Sequence, residues 1–504
     1  MNPTSAASVT GMPSDEFAFV SALQAAEAIR AKKVSSLELT RHTFERIERY
    51  NPALNAFAYQ LKDAAMAQAR KADEALARKE PTGVFHGVPV QVKESFGVAG
   101  QPCTWGIPSF KDARPPQNSA VVDRLLGAGS VLIGATNVPV NLSDWQSYNP
   151  IYGQTNNPWD LQRSPGGSSG GAAAAIAAGL GYLTVGSDIG GSIRVPSHFC
   201  GVYGHKPTLD LVSLRGHLPG GGATPPGFST LLAVAGPIAR SAQDLLAALK
   251  VLGGPEGWDA KAWKWVLPTP RGKQLRDFRV GYVLDDPIAP PAPDVRAVLE
   301  NTIENLRRAG AKLKPGWPAN FQPAPMLETY RYLLFSFFIS RSPDPVKNSL
   351  RAEFERIAGP AAAEALGSAV YWQEQNMRRL EYRARWQAHF DEIDVFLSPV
   401  TFTPAFPHDH SEPQSTRKIQ TSAGPRNYME GLNWMGVASL TGCPSTVAPV
   451  GRTQAGSPAG DKETALPVGI QIMGPYWEDA TTIAFADLLA QEFGGFSPPP
   501  GYAN

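Results

Sequence analysis

Residues 164–192 read SPGGSSGGAAAAIAAGLGYLTVGSDIGGS. Two Gly/Ser turns, 164–171 and 186–192, bracket a helix-forming run over 172–180 and a short strand-like run over 182–185. A helix of about nine residues rises roughly 13 Å, and a strand of four or five covers roughly 13–17 Å on its way back. The chain therefore returns to where it left, and Ser168 at the helix N-terminus can meet Ser192 just past the strand. The same texture continues outward. From Gly83, Val/Ile/Leu runs such as 88–92 and 131–135 alternate with helical patches such as 120–126, which predicts an α/β sheet. Upstream, Ser35 with Glu38 forms a capping box, and Leu37, Thr40, Phe44 and Ile47 recur at helical spacing before Asn51-Pro52, where the helix is expected to stop.

Composition narrows the function classes. The chain has 504 residues, 43% hydrophobic and 18% charged, enough to bury a large core. Lys plus Arg number 46 against 45 Asp plus Glu, so no net field draws in a nucleic acid or an anionic membrane. Three scattered cysteines, Cys103, Cys200 and Cys443, offer neither a disulfide framework nor metal-binding spacing. The Ser/Thr/Ala-rich stretch 1–16 lacks the basic and apolar regions of a secretory signal, so a cytoplasmic location is expected. The apolar stretch 172–186 falls short of the roughly 20 residues of a membrane span and reads as core. Loops are marked by 253–258, 287–293 and 451–463, none a domain linker, so one domain over 1–504 is expected.

Glycines beside both serines let backbone N–H groups approach a substrate oxygen with no Cβ in the way. The amides of Ile189, Gly190, Gly191 and Ser192 fall on one tight turn and are suited to an oxyanion hole, with Asp188 and Arg194 bracing it as an ion pair. A flexible linker is the bland alternative, but two such turns bracketing one helix and one strand argue against it. A phosphate cradle is the other, and neither Gly-Lys-Ser/Thr nor G-x-G-x-x-G is present at the first loop. A serine needs a base to act as nucleophile. No histidine sits in the motif; Lys93, ending the strand-like run 87–92, can serve if an apolar setting strips its charge.

The stretch Gly166–Thr208 closely resembles the amidase signature. Supporting pieces are Gly87–Lys93, Thr136–Pro139, Tyr152–Trp159, Gly236–Ser241 and Leu466–Gln471, thinning between about Gly253 and Asp391. The resemblance, which extends to fatty acid amide hydrolase and bacterial amidases, implies a large mixed β-sheet flanked by helices on both sides. It implies an N-terminal helical layer over about 15–80, a signature core over 83–250, a variable substrate-side insert over 253–390 and a C-terminal part over 391–495. By the same resemblance Ser192 stands at the nucleophile, Ser168 at a bridging serine preceded by a cis peptide from Gly167, and Lys93 at the base, with Ser169 in support. Leu142 stands near a substrate-contact position. No metal or organic cofactor is implied, and a dimer is common among relatives. Departures are Glu94 in place of Asp, Ala135 in place of Lys, and His205 in place of an apolar residue.

The expected activity is hydrolysis of acyl C–N bonds through an acyl-enzyme. Trp105, Trp145, Tyr148 and the segment 330–338, with Phe335 and Phe338, are candidates for an apolar acyl or aryl pocket. Hydrophobic or aryl amides are expected, with carbamates (urethanes) and esters as further substrates. Two rivals stand: the glutaminase subunit of a tRNA-dependent amidotransferase, which works in a complex, and a catalytically silent binding protein with this fold.

Overall fold

The computed structural model describes residues 15–222, 224, 227–342, 344–421, 423–455 and 465–503. The reading of residues 1–14 as no secretory signal, and residues 456–463 of the polar stretch, lie outside the described residues. An eleven-stranded mixed sheet organises the chain. In spatial order its strands are Phe57–Gln60, Val131–Thr136, Pro89–Lys93, Leu183–Asp188, Val234–Ala239, Tyr203–Lys206, Ser445–Arg452, Pro467–Met473, Val395–Pro399, Arg279–Tyr282 and Lys312–Pro315.

Pro89–Lys93 runs parallel to both of its neighbours, with Lys93 opposite Thr136 and Val92 opposite Val185. These strands are wholly buried, as expected for a parallel region covered on both faces. Side chains alternate between two cores. Val131 and Ile133 join Phe44, Ile47 and the alanines of helix Gly170–Ala177, whereas Leu132, Val90 and Val92 join a larger core that includes helices Ala22–Arg30 and Ala242–Leu252. Helices thus cover both faces, and the run 172–186 is core, every residue buried.

The Ser35/Glu38 capping box forms, with Ser35 Oγ accepting from Glu38 N at 3.1 Å. The helix does not stop at Asn51-Pro52; it runs Ser36–Leu54 and ends where Asn55 turns left-handed at φ 49°. Proline in the last turn leaves unpaired only the carbonyl four residues back, on exposed Glu48, where water can serve it. The thinly matched middle is not only a variable insert on the substrate side either. Its strands Arg279–Tyr282 and Lys312–Pro315 complete one edge of the sheet, while helices Asp344–Ala358 and Ala369–His389 pack on helix Pro323–Arg341, which itself packs on helix Leu432–Thr441. Among the described residues no helix is long and apolar enough to cross a membrane. The three cysteines are free and buried.

Candidate active site

Parallel strands present their carboxyl ends to one crevice, where ligands of open α/β sheets bind. Here that end holds Lys93, the last residue of Pro89–Lys93, and Asp188, the last of Leu183–Asp188. The segment 164–192 closes on itself as its lengths require: helix Gly170–Ala177 leaves, Leu183–Asp188 returns, and Ser169 N donates to Ser192 O at 3.1 Å. The Gly167–Ser168 peptide is cis. A Cβ on Gly167 would lie 2.4 Å from Asp144 O and one on Gly170 2.5 Å from Ser147 Oγ, so these glycines permit close backbone packing.

Lys93 Nζ lies 2.6 Å from Ser168 Oγ and 3.0 Å from Ser187 Oγ, with the lysine wholly buried. Burial drives its pKa down to about 7, against the pull of Asp188 and Glu94. Ser187 is a partner that the sequence reading missed, although it stands in the quoted motif; strand alternation alone does not say which face of the strand meets Lys93. Glu94 is also buried, and burial raises it to about 7. Its carboxyl accepts from Thr104 N at 2.6 Å, Trp105 N at 3.0 Å and Tyr152 Oη at 3.0 Å, so the departure from Asp ties down the 104–105 loop.

Asp188 and Arg194 form a fully buried ion pair, 2.8 Å from Nη2 to Oδ1. Burial would raise Asp188, but the Arg194 charge and its hydrogen bonds outweigh it and hold the carboxyl at about 2. Arg194 reaches on to Gln471 Oε1 at 2.6 Å and Ser439 Oγ at 2.7 Å. Asp188 also takes the amides of Gly191 at 2.9 Å and Ile193 at 3.0 Å. The Gly191 amide is therefore directed away from a substrate, and the expected four-amide donor set narrows. The amides of Ile189, Gly190 and Ser192 have no acceptor among the described residues. Gly191 itself stands at φ +94°, where a Cβ would also lie 2.5 Å from Met435 Sδ.

Ser192, Ile189 and Gly190 floor a cavity of about 450 Å³ walled by Leu142, Trp145, Tyr148, Phe335 and Phe338, together with Leu334 and Leu432. Five of the six substrate-side candidates line it. Trp105 does not. Its indole Nε1 donates to Ser95 O at 3.1 Å and its ring packs on His217 at 4.8 Å, in a cluster with Cys103 and Val138 that backs the wall residue Leu142. At one side of the cavity Asp144 accepts from Arg417 Nη1 at 2.7 Å and from Tyr428 Oη, while Arg417 Nη2 reaches Tyr148 Oη at 3.0 Å. Among the described residues no Lys or Arg lines the cavity, whereas Asp144, Glu353 and Glu412 do. His205 is held within the core by Thr446 Oγ1 at 2.9 Å and Asp479 Oδ1 at 3.1 Å, away from this cavity. No group of three His, Cys, Asp or Glu suited to a metal occurs among the described residues.

A mixed sheet with a buried lysine and two Gly-flanked serines at its carboxyl end defines an amidase signature fold. The chain belongs to the amidase family, whose model matches residues 38–483. It is similar to a subunit of the glutamyl-tRNA(Gln) amidotransferase of Carboxydothermus hydrogenoformans, 29% identical over 94% of this chain and 98% of that protein. It is also similar to indoleacetamide hydrolase of Bradyrhizobium diazoefficiens, 30% identical over 93% of this chain and 86% of that one. A solved bacterial aryl acylamidase shares the fold with a TM-score of 0.78, 24% identity, and coverage of 96% of this chain and 98% of that one. Family membership carries the general chemistry, cleavage of amide C–N bonds.

Proposed function

We propose that the chain hydrolyses neutral, hydrophobic or aryl amides through an acyl-enzyme on Ser192, with carbamates and esters as further substrates. The observation that carries this reading is the buried Lys93, its pKa brought to about 7, 2.6 Å from Ser168 Oγ in the segment whose other serine, Ser192, lines a cavity with Leu142, Trp145, Leu334, Phe335 and Phe338. Neutral Lys93 takes the proton of Ser168 as Ser168 takes that of Ser192, and Ser192 Oγ bonds to the substrate carbonyl carbon. The amides of Ile189, Gly190 and Ser192 are the donors available to the resulting oxyanion. The relay then returns the proton to the departing nitrogen as the C–N bond breaks. Water, deprotonated by the same relay, releases the acid. Protons and electron pairs come from side chains, substrate and water, so the cycle calls for no cofactor. One domain spans the chain in this reading.

Ser192→Ala removes the nucleophile, and hydrolysis of every accepted substrate falls to background. A fluorophosphonate labels Ser192 in the intact chain, located by peptide mass spectrometry. Near-normal turnover by Ser192→Ala, or a label elsewhere, overturns the assignment. Labelling at Ser192 with turnover also dismisses a silent binding protein.

The curated relatives favour a second reading, in which the chain is the glutaminase subunit of a tRNA-dependent amidotransferase and works within a complex. The cavity favours the first, because glutamine brings an α-carboxylate and, among the described residues, its walls carry the carboxylates of Asp144, Glu353 and Glu412 and no Lys or Arg. The chain purified alone, offered glutamine beside anilides, fatty amides and carbamates, separates them. Ammonia release from glutamine with no turnover of the apolar panel makes the second reading the right one.

A further inference from the structure

The carbonyls of the turn that carries Ser192 are all held from outside it. Tyr330 Oη donates to Ile189 O at 2.9 Å and Trp145 Nε1 to Gly190 O at 2.9 Å. Val195 N donates to Gly191 O at 2.7 Å, and Ser169 N to Ser192 O at 3.1 Å. In a trans peptide the carbonyl of one residue points opposite to the N–H of the next. Holding Ile189 O therefore aims the Gly190 N–H away from Tyr330, and holding Gly191 O aims the Ser192 N–H away from Val195. The peptide between them is fixed at both ends, Trp145 on its carbonyl and Asp188 on the Gly191 amide at 2.9 Å.

Two of these four holds come from side chains outside the signature segment. Gly190 and Gly191 offer no side chain to steady these planes, so without Tyr330 the Ile189–Gly190 plane loses the hold on its carbonyl, and without Trp145 the Gly190–Gly191 plane keeps only the Asp188 hold on its amide. We infer that Trp145 and Tyr330 are positioning residues for the oxyanion hole: their N–H and O–H fix the Ile189–Gly191 peptides so that the Gly190 and Ser192 amides stay aimed at the substrate oxygen. This rests on the reading of Ser192 as nucleophile.

The same two residues belong to the substrate cavity's frame. Trp145 is one of its walls, and Tyr330 lies on helix Pro323–Arg341, which also supplies Phe335 and Phe338 to it. Tyr330 is wholly buried and Trp145 only 8% exposed, so neither hydrogen bond competes with bulk water. An apolar group that fills the cavity packs against the residue that fixes Gly190 O. Substrate selection is thereby expressed in kcat as well as in KM.

Tyr330→Phe tests this with the ring kept. Removing one oxyanion donor outright costs about 10²–10³ in rate; loosening one costs less, so kcat falls about 10- to 100-fold while KM stays within about two-fold. Affinity for a trifluoromethyl ketone, which becomes tetrahedral on Ser192, falls in parallel with kcat/KM, whereas affinity for the matching unreactive alcohol does not. Trp145→Phe gives the same split with a larger loss on bulky amides than on small ones. A merely structural role would lower the melting temperature and leave the ketone-to-alcohol ratio unchanged, and that outcome in Tyr330→Phe overturns the inference even if Trp145→Phe fails to fold. Ser192→Ala is the parallel control: if it retains activity, the nucleophile assignment fails; if it is inactive while Tyr330→Phe is normal, only this inference fails.

Discussion

Lys93 Nζ lies 2.6 Å from Ser168 Oγ, with the whole lysine out of contact with solvent. Burial lowers its pKa from the ordinary 10.5 to about 7, so the amine titrates where an enzyme works. Below that pH Lys93 carries its proton and cannot accept another; above it the lone pair is free. Accordingly, kcat/KM rises as pH climbs through about 7 and levels off above. Glu94, also raised to about 7 by burial, titrates in the same window and must be separated from it. Lys93→Ala removes the limb and lowers kcat/KM by about 10²–10⁴. Steady-state rates from pH 5 to 9 decide the matter, and a limb that persists in Lys93→Ala belongs to Glu94.

Ser187 Oγ, 3.0 Å from the same amine, stabilises the ammonium form by accepting from it. Ser187→Ala withdraws that acceptor, so the charged form loses support and the acid limb moves to lower pH. Because Ser168 and Ser192 remain, the plateau stays within about ten-fold of wild type. A limb with an unmoved midpoint rules out this role for Ser187.

The meeting of the two Gly/Ser turns, where Ser169 N reaches Ser192 O, is legible in the sequence because helix rise and strand length are fixed by backbone geometry, which returns the chain to its start whatever the side chains. The α/β class follows from the same alternation, and the amidase signature supplies Lys93, which spacing alone cannot join to the serines. What was not legible depends on contacts remote in sequence. Trp105 and Trp145 read alike as bulky residues near the site, and their fates diverge according to where each indole N–H finds a carbonyl: Ser95 for Trp105, Gly190 for Trp145. Gly191 belongs to a run of amides on one turn, and only the position of the Asp188 carboxylate shows which of them is taken. The strands Arg279–Tyr282 and Lys312–Pro315 are four residues each and carry no period long enough to identify them.

The Asp188–Arg194 pair is wholly buried, so removing either partner strands a charge without solvent. Arg194→Met is expected to destabilise the protein by about 3–5 kcal/mol, read by urea denaturation at pH 7. Asp188→Asn behaves likewise, and the double variant loses less than the sum of the two, since neither charge is then left alone. The pH dependence has a definite sign. Asp188 is held at about 2 against an ordinary 3.8, so its contribution is present above about 4 and is lost as pH falls toward 2. Additive losses in the double variant would mean the two residues stabilise the fold independently.

Trp105 and Phe338 offer a contrast between a residue that supports the site and one that shapes it. Trp105 is 4% exposed and outside the cavity, and its indole serves the Ser95 carbonyl. Trp105→Phe leaves that buried carbonyl with only the weak Cys103 thiol donor at 3.8 Å, at a cost of about 1–3 kcal/mol in stability. It does not itself line the cavity, and phenylalanine keeps both a ring beside the wall residue Leu142 and the carbonyl that accepts from Asn141 N at 2.8 Å, so relative rates across a panel of amides stay within about two-fold. Phe338 is half-buried and lines the cavity, with its ring against Phe337 at 5.6 Å. Phe338→Ala removes apolar surface available to a substrate, and kcat/KM on a bulky aryl amide falls about 10-fold or more while a small aliphatic amide is little affected. Thermal melts and a substrate panel run on both variants check the pair together. A change of substrate preference in Trp105→Phe with none in Phe338→Ala would reverse the assignment, placing the acyl group on the Trp105 side of Leu142 instead of against helix Pro323–Arg341.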